Sequence, residues 1–138
     1  MISSEEYIEK LRKSGLRPTK QRTKICEVLF NTDKTFHFTI NDLVKMIETK
    51  INQKISLATV YNTIHAFKKK GYLKEIAINS TQSYFDTNIT DHHHFFDERK
   101  NELIDLDNQD IHPIRLKKTI PGKKIKSLEV LVRVETNN

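Results

Sequence analysis

Apolar positions recur every three or four residues as far as Gly71 and then switch to alternation. "SSEEYIEKLRKSG" predicts a short amphipathic helix with Ser4 as cap, acids at its start, bases at its end and Gly15 beyond. "RPTKQRTKICEVLFN" restarts helix after Pro18 and Thr19, with Ile25, Cys26, Val28 and Leu29 as its apolar face. "TINDLVKMIETK" predicts a third helix, capped at Thr39, that turns Leu43, Val44, Met46 and Ile47 inward. "SLATVYNTIHAFKKKG" predicts a fourth, capped at Ser56 and ended by three lysines and Gly71. Beyond Gly71, "YLKEIAI" and "QSYFDT" flank "INST" as a hairpin. "HHHFFDE", the turn "RKN" and "ELIDL" predict a second hairpin. A helix from about Asn108 to Ile120 follows if Pro113 falls in its first turn. "SLEVLVRVE" alternates, placing Leu128, Val130, Val132 and Val134 on one strand face.

This order predicts an α+β chain of two small modules. Residues 1–87 read as an N-terminal winged helix-turn-helix, and residues 88–138 as a small α/β dimerisation domain. The second module has too few apolar residues to close a core alone, and the edge of "SLEVLVRVE" invites pairing, so a homodimer is expected.

Composition narrows the function. The 138 residues are 36% hydrophobic and 30% charged, with three Gly and three Pro, which suits a folded chain rather than a disordered one. No apolar run approaches the ~20 residues of a membrane helix, and the N-terminus lacks the pattern of a secretory signal. The lone Cys26 fits a core position and excludes a thiolate-rich zinc cage. A cytoplasmic location is expected, with no membrane partner. The net charge is +6, and residues 1–87 carry all the excess, with 15 Lys+Arg against 9 Asp+Glu; residues 88–138 carry 9 of each.

A basic module with helices and a wing points to double-stranded DNA. The start of the fourth helix places Ser56, Ala58, Thr59, Tyr61 and Asn62 where a recognition helix needs short polar and methyl-bearing side chains. Asn62 can pair with adenine, Ala58 and Thr59 can touch thymine methyls, and Tyr61 can contact base or phosphate. Arg17, Lys20 and Arg22 are candidates for phosphate or minor-groove contact. His65 is assigned to packing or to the vicinity of DNA.

The run "DHHHFFDE" carries a second chemistry. In a strand His92 and His94 share one face and His93 takes the other. Imidazoles with nearby carboxylates bind divalent iron, manganese or zinc. His37, Asp86, His92 and His94 would form a site spanning both modules. His93, His112 and Glu129, with Asp91 as an addition, would form a second.

The motifs "GLRPTKQR", "HFTINDL", "ISLATVYNTIHAFKKKGYL" and "DHHHFF", in this order, resemble the ferric uptake regulator (Fur) family over almost the whole chain. Within it, "ATVYNTIHAF" and "HHHFFDE…ELIDL" are similar to the iron response regulator (Irr) branch. The resemblance implies a homodimeric transcriptional regulator of iron homeostasis, a repressor or activator, with His37, Asp86, His92 and His94 as the regulatory metal site. It implies His93, His112 and Glu129 as the second site, and haem as a further ligand at His92, His93 and His94. Many relatives have a CxxC pair where this chain has "DERK", Asp97 to Lys100, so a thiolate zinc is not implied. Cys26 is followed by Glu27, so the Cys-Pro haem motif of some Irr members is also missing. A metal-dependent hydrolase or nuclease using the same cluster is the rival reading, although neither a helical H-E-x-x-H nor a Gly-rich phosphate loop is present.

Overall fold

The computed structural model describes residues 3–137 and divides into two compact units, Met1–Ile89 and Thr90–Asn138. Helices fill the first: α1 (Ser4–Lys13), α2 (Lys20–Phe30), α3 (Ile40–Ile51) and α4 (Leu57–Lys70). Side-chain oxygens set their starts. Thr19 accepts from the Arg22 amide at 3.2 Å and Ser56 from the Thr59 amide at 3.3 Å. Thr39 and Asp42 form a reciprocal capping box. The cap of α1 is Ser3 rather than the expected Ser4, because Ser3 is extended and its hydroxyl accepts from the Glu6 amide. Gly71 ends α4 in the left-handed region at φ 91°, which costs a residue without Cβ little.

Leu11, Ile25, Cys26, Leu29, Leu43, Ile47, Val60, Ile64 and Phe67 pack into one core. Met46 departs from the sequence expectation and stays 41% exposed. The buried stripe of α3 runs through Leu43 and Ile47 with Ile40, Val44 and Ile51 alongside, and position 46 falls off it. Burial pushes the Cys26 thiol up to about 12, so it remains a protonated, inert core residue.

The wing is a three-stranded antiparallel sheet rather than a two-stranded hairpin. Strands β1 (His37–Phe38), β2 (Lys74–Ala77) and β3 (Ser83–Asp86) lie in the order β1-β3-β2. The β2–β3 turn is closed by Asn79 Oδ1, which accepts from the Thr81 and Gln82 amides at 2.9 and 3.0 Å.

The second unit holds β4 (His93–Asp97), β5 (Glu102–Leu106) and β6 (Leu131–Val134) in the order β5-β4-β6. Strands β4 and β5 are antiparallel, whereas β6 joins β4 in parallel. Asp97 Oδ1 accepts from the Arg99 and Lys100 amides at 3.0 Å each, and Asn101 adopts φ 53°, completing the β4–β5 turn. The expected helix from Asn108 to Ile120 is replaced by a single 3-10 turn, Asn108–Asp110. Ile111 is already extended at φ −135° and ψ 136°, and Pro113 bars His112 from the α region. Ile114, Leu116 and Ile120 are exposed, so no buried stripe holds a helix there. Among the described residues this unit is a small β-sheet with one 3-10 turn, and with the helical first unit it gives the α+β chain expected. No helix among the described residues is long and apolar enough to cross a membrane.

Candidate nucleic-acid interface and metal centre

The α4 sequence divides into two stripes. Val60, Thr63, Ile64 and Phe67 are buried, while Ser56, Leu57, Ala58, Tyr61 and Asn62 face solvent. Thr59 lies between them, half-buried. The start of α2 adjoins this face: Arg17, Thr19, Lys20, Gln21 and Arg22 line one open concavity with Thr59. Arg22 Nη1 donates to the Arg17 carbonyl at 2.8 Å, which orders the loop entering α2. The predicted cations Arg17, Lys20 and Arg22 thus meet α4 at its first turn.

The Tyr61 ring lies 4.1 Å from that of His65 at a 45° tilt, and the His65 ring meets Phe85 of β3 edge-on at 5.6 Å. His65 therefore packs between helix and wing and supports Tyr61. The wing is tied to α4 a second time. Lys68 Nζ lies 2.7 Å from Glu75 Oε1, and Ser83 Oγ donates to Glu75 Oε2 at 2.7 Å. The Lys68 hydrogen bond holds the Glu75 carboxyl below its ordinary range, with the Ser83 bond adding to it and partial burial opposing.

The candidate metal ligands are carried by both units. In the first, His37 and Asp86 are direct cross-strand partners on β1 and β3. Asp86 is buried, and its Oδ1 accepts from the Asn88 amide at 2.8 Å. In the second, His92 and His94 are buried with ring centroids 4.5 Å apart. Both Nε2 atoms face Asp105 Oδ1, at 3.8 Å from His92 and 3.4 Å from His94. The ligand atoms of His92, His94 and Asp105 lie within 4.8 Å of one another. His92 Nδ1–H donates to the Thr90 carbonyl at 2.8 Å, which fixes the tautomer with its lone pair on Nε2.

His93 faces the other way, as strand alternation requires, but meets a different partner from the one expected. The Val130 amide donates to its Nδ1 at 2.9 Å. A neutral ring accepting at Nδ1 carries its proton on Nε2, so neither nitrogen offers a lone pair to a metal while that bond stands. His112 and Glu129 are exposed, and among the described residues they form no ligand cluster with His93. Asp91 is exposed, and its carbonyl accepts from Asn108 Nδ2 at 2.6 Å.

The profile of the ferric uptake regulator family matches residues 13–133. The chain belongs to that family. Fur-family proteins are transcriptional regulators, so the hydrolase reading is set aside. The peroxide operon regulator of Bacillus subtilis is 36% identical over 101 residues, covering 73% of this chain and 68% of that one. The peroxide-responsive repressor PerR of Staphylococcus aureus is 31% identical over 110 residues, covering 80% and 72%. In three dimensions the chain resembles the ferric uptake regulator from Pseudomonas aeruginosa with manganese, with a TM-score of 0.67 at 19% identity over 96% and 98% of the two chains. It also resembles the Helicobacter pylori regulator Fur, described as having three functional metal binding sites, at 0.66 and 17% over 98% and 92%. These two likenesses establish the Fur fold.

Sequence reasoning missed two residues of these sites. Asp105 pairs with His94 in the β4–β5 register, a juxtaposition that counting back through the "ERKN" turn would have found. Leu57, an apolar residue at the head of α4, is 55% exposed and belongs to the solvent-facing stripe of that helix.

Proposed function

We propose that this Fur-family regulator binds operator DNA as a homodimer under the control of a divalent metal, and acts in iron homeostasis. The observation that carries the metal half is the pair of histidine Nε2 atoms facing Asp105, with one tautomer already fixed. His37, Asp86, His92, His94 and Asp105 supply imidazole and carboxylate donors, a set suited to iron, manganese or zinc. The ion acts by favouring the arrangement in which two recognition helices meet two half-sites. The carboxylates favour a divalent ion over haem, whose face requires apolar walls. A second metal site at His93, His112 and Glu129 requires the His93–Val130 bond to open first.

DNA binding is tested with metal-loaded protein. Affinity should fall roughly 10³-fold or more between 50 and 200 mM salt if the six or more phosphate contacts that the basic face can offer are made. Asn62→Ala should weaken binding to a selected operator several-fold more than binding to random duplex, and equal loss on both would remove Asn62 from base recognition. Dimerisation is tested by sedimentation; a monomer at micromolar concentration, with and without metal, would reject it.

The peroxide regulators among the relatives favour a second reading over an iron response branch assignment, namely that the metal centre reports peroxide. Iron in this site would supply one-electron chemistry with peroxide that manganese does not. The same binding assay separates the readings: peroxide should release DNA from the iron-loaded but not the manganese-loaded protein if this second reading holds.

A further inference from the structure

Among the described residues, Leu57 is the most exposed large apolar residue in the first unit's helices, by no accident of a loose terminus: it is the first residue of α4, directly after the Ser56 cap. With 55% of its surface open, it opposes the usual reason for placing leucine in a helix. Tyr61 lies one turn further along the same stripe and is itself 51% exposed. The Tyr61 ring is not loose, because His65 holds it from behind at 4.1 Å and Phe85 holds His65. Ala58 and Asn62 are exposed on the same helix, whose Thr59 lines a concavity with Arg17, Lys20 and Arg22. The start of α4 therefore carries an exposed apolar pair and, through Thr59, a neighbouring group of cations. A protein partner would bury such a pair against its own apolar side chain, but the neighbouring cations match phosphate. In a DNA major groove the one apolar group at a base edge is the thymine 5-methyl.

We propose that exposed Leu57, beside the supported Tyr61 ring, packs on a thymine methyl, making Leu57 a specificity-determining residue for this regulator's operator. The inference rests on the DNA-binding reading above. Its contribution is selective because no other base carries a methyl there, so cytosine or a purine at the same step leaves Leu57 uncovered.

The test uses the full chain loaded with manganese and an operator selected by the wild-type protein from random duplex. Each thymine is replaced in turn by 2′-deoxyuridine, which removes the methyl and leaves the pairing edge intact. The wild-type protein is expected to lose about fourfold in affinity at one or two positions, the value of one buried methyl. Leu57→Ala should bind the thymine operator about fourfold more weakly and be indifferent to deoxyuridine at one of those positions. Leu57→Met, which keeps an apolar reach, should restore both affinity and the deoxyuridine penalty. Circular dichroism should match wild type for both variants, since neither change touches the core. The proposal is overturned if Leu57→Ala binds like wild type, or if it keeps every deoxyuridine penalty. Failure of the wild-type protein to select any sequence would overturn the DNA-binding reading and this inference with it. A selected operator that is insensitive to every methyl would overturn this inference alone.

Discussion

Alanine at both His92 and His94 is expected to abolish the effect of manganese or iron on DNA binding while leaving the chain folded. The two rings supply the Nε2 donors that face Asp105, and no neighbouring thiolate can replace them, since Cys26 lies in the helical core. Metal affinity should fall by at least about 100-fold, which exceeds what loss of a supporting hydrogen bond alone produces. Isothermal titration with manganese, followed by operator binding with and without the ion, measures both effects. His93→Ala makes the contrast. It removes the acceptor of the Val130 amide and should lower stability by about 1–3 kcal/mol, with the metal response retained. Equal mild losses in all three single variants would move sensing away from this strand.

Phe67→Ala is expected to destabilise the first unit by about 3–5 kcal/mol, a large share of what a small domain has. The ring is fully buried, lies 5.7 Å from Phe30 and meets Tyr72 at 5.9 Å. Lys10 Nζ sits over both of those outer rings, at 4.7 and 4.1 Å, so the cavity would also loosen the seat of α1. Urea denaturation followed by circular dichroism gives the value. A loss below about 1 kcal/mol would mean that Phe30 and Tyr72 collapse into the space, and that the core is less tightly determined than its packing indicates.

The helical half of the chain was legible because each helix announces itself locally. Thr19, Thr39 and Ser56 are caps whose chemistry acts within three residues, and Gly71 stops α4 by its own backbone freedom. What escaped depends on distant partners. Strand β1 has two residues, too few to show any alternation, and exists only because Asp86 and Phe85 pair with it. The stretch after Asn108 has helical spacing, but Ile114 and Leu116 stay 42% and 53% exposed among the described residues, so periodicity there does not become a helix. The metal cluster was half legible. Strand alternation separates His93 from His92 and His94, but Asp105 enters by register, and the His93–Val130 bond by a pairing across 37 positions. Leu57 was missed for an instructive reason: an apolar residue is read as core, yet this one, at the start of α4, stays 55% exposed.

The parallel pairing of β6 with β4 gives the histidine strand a particular place in the order of folding. The β4–β5 hairpin closes across a four-residue turn, whereas β6 reaches β4 only after residues 107–130 have been looped back. Local closure is fast and the long loop is entropically slower, so the hairpin forms a nascent scaffold before the sheet is complete. His94 and Asp105 are then in register early, while the Val130 amide that anchors His93 arrives last. During synthesis the ligand strand emerges well before the segment that locks its far edge. An ion captured by the nascent hairpin would precede, and could guide, the final closure of the sheet.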